Sequence, residues 1–128
     1  MKKKNLTALT FPIITLLLEC LPNGVIMRFA TPPGEPPVIQ KTSYFDLLPM
    51  GYANFAPLLT AILTIVLLVV MVLYAVKSRP KLLKIGKILS LTAAIISLCP
   101  MIFSSYSLIG GAVSVSLFAE FLYLTRKN

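Results

Sequence analysis

Glu19 and Glu120 are two of only four acidic residues in this 128-residue chain, and both stand inside apolar runs. An ionisable group within a membrane span is costly, and by default it marks a functional site whose partner must be named. For Glu19 the partner read from the sequence is Arg28, which follows across the helix-breaking Pro22-Asn23-Gly24. Together they form a candidate interfacial ion pair. The competing reading makes Glu19 an intramembrane proton or cation site. Glu120 lies close enough to the end of its own run for Lys84 or Lys87 to snorkel toward it. At 1.5 Å per residue, Glu19 falls about 20 Å and Glu120 about 7 Å from the basic ends of their helices. The two acids are therefore not expected to pair with each other within one protomer.

Other chemistry finds little material. The chain has no histidine, no glycine-rich phosphate loop and no nucleophile elbow, so the expectation is a protein that is not an enzyme and holds no cofactor. Cys20 and Cys99 are too few for a zinc site, and no metal is expected. Both read as small apolar residues, and a disulfide between them would need Cα atoms within about 7 Å. Ser107, Gly110, Gly111 and Ser114 form a patch in the last apolar run, with Ser107/Gly111 and Gly110/Ser114 spaced i, i+4. In lipid such spacing lets helix backbones approach closely. Ala93, Ala94 and Ser97 offer a matching surface, so this patch is expected to pack within the chain.

The elements that must position these residues follow from composition. Apolar residues make up 57% and charged residues 12%, with mean hydropathy +0.88. These values exclude disorder and an ordinary soluble domain, leaving the membrane class. A span needs about 20 apolar residues. The pattern predicts one all-α membrane domain over 1–128, with four transmembrane helices at about 6–21, 57–76, 85–103 and 106–124. Pro57 suits a first helical turn, and Ser104-Ser105 is left as a tight turn. The first run lacks small residues before a cleavage point, ending Leu17-Leu18-Glu19-Cys20, and reads as a retained helix rather than a signal peptide. Ten of the twelve basic residues fall in three clusters, Lys2–Lys4, Lys77–Lys87 and Arg126-Lys127. Four spans put all three clusters on one side, which basic residues mark as cytoplasmic. No aromatic residue is interleaved in the Lys77–Lys87 cluster, so nucleic acid is not an expected partner.

The segment of about 25–55 is the only sizeable part outside the membrane. Its centre, Pro32-Pro33-Gly34-Glu35-Pro36-Pro37, is a turn signal between two strand-forming runs. It reads equally as a β-hairpin or as an irregular loop stiffened by proline. Phe29, Tyr44, Phe45, Tyr52, Phe55 and Tyr106 fall near the outer boundary, as interfacial aromatics do. The stretch from Ser43-Tyr-Phe-Asp-Leu-Leu-Pro-Met-Gly-Tyr-Ala-Asn-Phe-Ala-Pro57 to Thr64 resembles a segment of small uncharacterised four-helix membrane proteins of Gram-positive bacteria, with a likeness over about 19–70. The resemblance implies a multi-pass protein of a bacterial cell membrane and carries over no activity. Small multidrug exporters are similar in having four short helices and a first-helix glutamate. This chain departs from them in its long outer segment, its strong charge bias and its lack of tryptophan.

The sequence thus points first to a non-enzymatic interaction or accessory subunit, with the lipid bilayer and another membrane protein as partners. The alternative is a small transporter or channel subunit that uses Glu19.

Overall fold

A computed structural model describes residues 3–46, 52–102 and 106–127. The chain is mostly helical. In order it forms α1 (Lys3–Glu19), β1 (Val25–Phe29), β2 (Val38–Thr42), α2 (Tyr52–Lys77), α3 (Pro80–Ser97), a single turn α4 (Cys99–Ile102) and α5 (Leu108–Arg126). Three stretches are long and apolar enough to cross a membrane: Phe55–Lys77, Pro80–Ile102 and Leu108–Arg126. A fourth, Leu6–Glu19, is apolar but shorter.

The four long helices close into a ring. α1 packs on α2 and α5, and α3 packs on the same two neighbours. The chain runs up and down through this bundle, so α1 begins and α5 ends at the same end. The opposite end carries the hairpin. Polarity is arranged the reverse of a soluble bundle. Leu17, Val76, Ile88 and Val115 are each more than half exposed on the outer faces, whereas Thr15, Glu19, Thr60, Thr64, Ser90, Ser97 and Glu120 are fully buried. Hydrogen bonds between helices are what such side chains supply when the surroundings are lipid.

Helix ends differ from the sequence-based boundaries for local reasons. α1 stops at Glu19 rather than near 21, because the chain tightens through Leu21 N–H to the Leu18 carbonyl before Pro22. α2 starts at Tyr52, so Pro57 sits inside the helix instead of opening it. Only one hydrogen bond near the helix start is forfeited there. α3 starts at Pro80 rather than 85, with the proline in the first turn where its missing N–H is harmless. Lys81, Lys84 and Lys87 are therefore helical, and the expected basic loop shrinks to Ser78-Arg79. Ser78 takes a left-handed conformation (φ 49°) to reverse the chain. α5 starts at Leu108 rather than 106, because the Ser107 hydroxyl accepts the Gly110 N–H (2.9 Å) and caps it. The expected turn at Ser104-Ser105 lies outside the described residues.

Of the two readings for the outer segment, the hairpin is the one adopted. β1 and β2 pair antiparallel, with Val25 opposite Thr42 and Phe29 opposite Val38. At its tip the Glu35 N–H reaches the Pro32 carbonyl (3.1 Å), and Gly34 has φ 102°. That is a type II turn with proline and glycine in the two places that favour them. Val25 and Met27 are buried, whereas Phe29, Val38 and Ile39 are exposed.

Candidate functional site

The sequence-derived pairing of Glu19 with Arg28 is not the arrangement adopted. Glu19 ends α1 with its side chain fully buried between helices, and its Oε1 accepts from the Thr64 hydroxyl of α2 (2.8 Å). Arg28 lies on the exposed face of β1. Its place in the strand, opposite Ile39, keeps it on the hairpin instead of letting it fold back to α1. Glu19 Oε2 has no hydrogen-bond partner.

The Thr64 hydroxyl also lies 3.0 Å from the Thr60 carbonyl, and the Thr60 hydroxyl in turn donates to the Ala56 carbonyl (2.9 Å). Thr60 and Thr64 are the only polar residues between Leu58 and Leu73. Their i, i+4 spacing on one face was the available signal that α2 presents a polar stripe inward. One turn before Glu19, Thr15 meets Ser116 of α5 hydroxyl to hydroxyl (2.8 Å), and Thr15 also donates to the Phe11 carbonyl (2.9 Å).

Glu120 stands one turn beyond Ser116. It too is fully buried, and neither carboxylate oxygen has a hydrogen-bond partner. Lys84 is exposed and Lys87 half-buried, and neither forms an ion pair with Glu120 as the sequence suggested. Both stand near the start of α3, where the adjacent Leu83 and Gly86 take the buried, inward places. Because α1 and α5 run antiparallel, the two acids lie one turn to either side of the Thr15–Ser116 contact. They are separated by about 12 Å along the bundle.

The hairpin end closes over Glu19. The Tyr44 N–H donates to the Glu19 carbonyl (3.1 Å), and the Ser107 hydroxyl donates to the Gly24 carbonyl. Tyr44 is 1% exposed, and so is a plug rather than the interfacial aromatic expected. A side chain at Gly24 would meet its ring at 2.9 Å, and one at Gly110 its hydroxyl at 3.2 Å. Burial, then the neighbouring Glu19 and Tyr106 groups, push the Tyr44 phenol above its ordinary value. Phe29 and Phe55 are exposed, and Phe45 and Tyr106 half-buried.

In the small-residue patch, Ser114 Oγ is 2.8 Å from Ser97 Oγ of α3, with Ala93 and Ala94 fully buried alongside. Gly110 is buried, and Gly111 faces the Tyr106 ring. Cys20 is exposed, Cys99 half-buried, and both are free thiols. Among the described residues no cluster of three His, Cys, Asp or Glu gathers. No family model, curated protein or solved structure matches this chain.

Proposed function

We propose that this chain is a four-span protein of the cell membrane, with both termini and the basic clusters on the cytoplasmic side and the hairpin outside. Three membrane-length helices support that reading, as does the packing of α1 between two of them. Within that frame the protein acts as a small transporter or channel subunit with Glu19 as its ion site. One observation carries the proposal: two glutamates are fully buried among apolar helices with three of their four carboxylate oxygens unpartnered. Taking an ionised carboxylate out of water costs several kcal/mol unless a counter-charge is supplied. Each acid therefore needs a proton or a cation brought to it. Purified protein in liposomes, given opposing proton, sodium and potassium gradients, tests this. Flux that is lost in Glu19→Gln supports the reading, and no flux of any ion overturns it.

A second reading, the accessory subunit that the sequence favoured first, draws on the hairpin. Phe29, Val38 and Ile39 expose apolar surface outside the proposed spans. A stoichiometric partner captured in mild detergent, and lost when all three are changed to serine, would favour it.

A further inference from the structure

We infer that the ion handled at Glu19 is a proton rather than a metal cation, and that Thr64 is the positioning residue that makes this exchange work; the inference rests on the transport reading only for its flux arm. A divalent metal cation is disfavoured by the oxygen supply. Calcium takes six to eight oxygen ligands and magnesium a near-octahedral six. The Glu19 carboxylate has one hydroxyl hydrogen-bonded to it, and its second oxygen makes no hydrogen bond. Among the described residues no cluster of three His, Cys, Asp or Glu gathers that could complete a ligand set. Among the described residues, the titratable groups at the hairpin base are the Tyr44 and Tyr106 phenols and the exposed Cys20 thiol, α2 turns the buried Thr60 and Thr64 hydroxyls inward, α5 carries Ser116 and, one turn beyond it, Glu120, and Arg28 is exposed on β1.

A proton, by contrast, fits both states of the site. The Thr64 hydroxyl oxygen lies 2.8 Å from Glu19 Oε1 and 3.0 Å from the Thr60 carbonyl. A hydroxyl has one hydrogen to donate and lone pairs to accept. With Glu19 ionised, Thr64 donates to the carboxylate. With Glu19 protonated, the carboxyl O–H donates to the Thr64 oxygen, and the Thr64 hydrogen turns to the Thr60 carbonyl. The change moves one proton onto or off the carboxyl oxygen, to or from water, and breaks no other bond. The hydroxyl thus stays satisfied in both states, and no heavy atom must shift.

Infrared difference spectra of the purified protein between low and high pH test this without transport. The expected result is a carboxylic C=O band that is absent in Glu19→Gln, displaced in Thr64→Val and restored in Thr64→Ser. In liposomes, proton flux should fall at least about tenfold in Thr64→Val and return to within about twofold in Thr64→Ser. A sodium or potassium gradient alone should move nothing. A Glu19 band that ignores Thr64→Val, or flux driven by sodium in place of protons, overturns the inference. If the band behaves as expected but no ion crosses the membrane, the proton site stands and the transport reading falls.

Discussion

Glu19 and Glu120 hold mirrored places about the Thr15–Ser116 contact, yet their surroundings differ. Glu19 has a hydroxyl partner from α2, and a tyrosine plug joined to its own backbone. Glu120 has neither, although three lysines begin the neighbouring helix. The hairpin end is stitched by polar contacts across separate elements: Tyr44 to Glu19, Ser107 to Gly24 and Thr64 to Glu19. The opposite end is held by apolar packing around Met71 and Leu124 and by Lys127 over the Tyr74 and Tyr123 rings. The contrast teaches that the two acids are not equivalent stations. One is built into a hydrogen-bonded site, and the other is a bare buried carboxyl.

The largest effect is expected from removing the plug. Tyr44→Ala empties a fully buried aromatic site, and losses of about 3–5 kcal/mol follow such truncations. Thermal unfolding in detergent should show it, together with faster cleavage of the hairpin by added protease. If Tyr44→Ala unfolds no earlier than wild type, the plug contributes nothing. The next change should have the opposite sign. Glu120→Leu replaces a buried group that makes no hydrogen bond, and relief of an unsatisfied polar group is worth about 1–3 kcal/mol. This variant should melt later than wild type, while Glu19→Leu, which also loses the hydrogen bond from Thr64, should gain less. Equal gains for the two would erase the distinction between the sites.

How much of this was legible beforehand depends on which contacts set each feature. The three long helices and both acids could be read from apolar runs, since membrane length is a property of consecutive residues. The hairpin tip was legible because Pro33-Gly34 dictates a turn locally. Thr64 as the partner of Glu19 was not, because 45 residues separate them and no period links α1 to α2. Arg28 was the nearest cation in sequence, but strand pairing with Ile39 turns it outward. The start of α3 at Pro80 was missed for a different reason. Charge marks the end of an apolar span but not of a helix, and Lys81, Lys84 and Lys87 extend α3 beyond its apolar part.

Smaller effects sharpen the same comparison. Ser97→Ala and Ser114→Ala each remove one side of the α3–α5 hydroxyl contact, and each should lower stability by about 0.5–1.5 kcal/mol. The double variant should lose less than the sum, as a double-mutant cycle would read. Strict additivity would mean that the contact carries no energy. The smallest effect is alkaline. The Tyr44 phenol is held above its ordinary value when folded, so the unfolded chain loses that proton first. Its contribution is intact below pH of about 10 and declines as pH rises past it. Tyr44→Phe should flatten that part of the stability profile, and an unchanged slope would contradict the burial of the phenol.

Glu19 and Glu120 both lie buried inside the bundle. Treating native membranes with a hydrophobic carbodiimide, and separately with a water-soluble one, tests it most directly when the modified residues are mapped by mass spectrometry. Adducts from the hydrophobic reagent are expected at Glu19 and Glu120, none at either from the water-soluble reagent, and the reverse preference at exposed Glu35. Labelling of Glu19 and Glu120 by the water-soluble reagent as readily as Glu35 would contradict it.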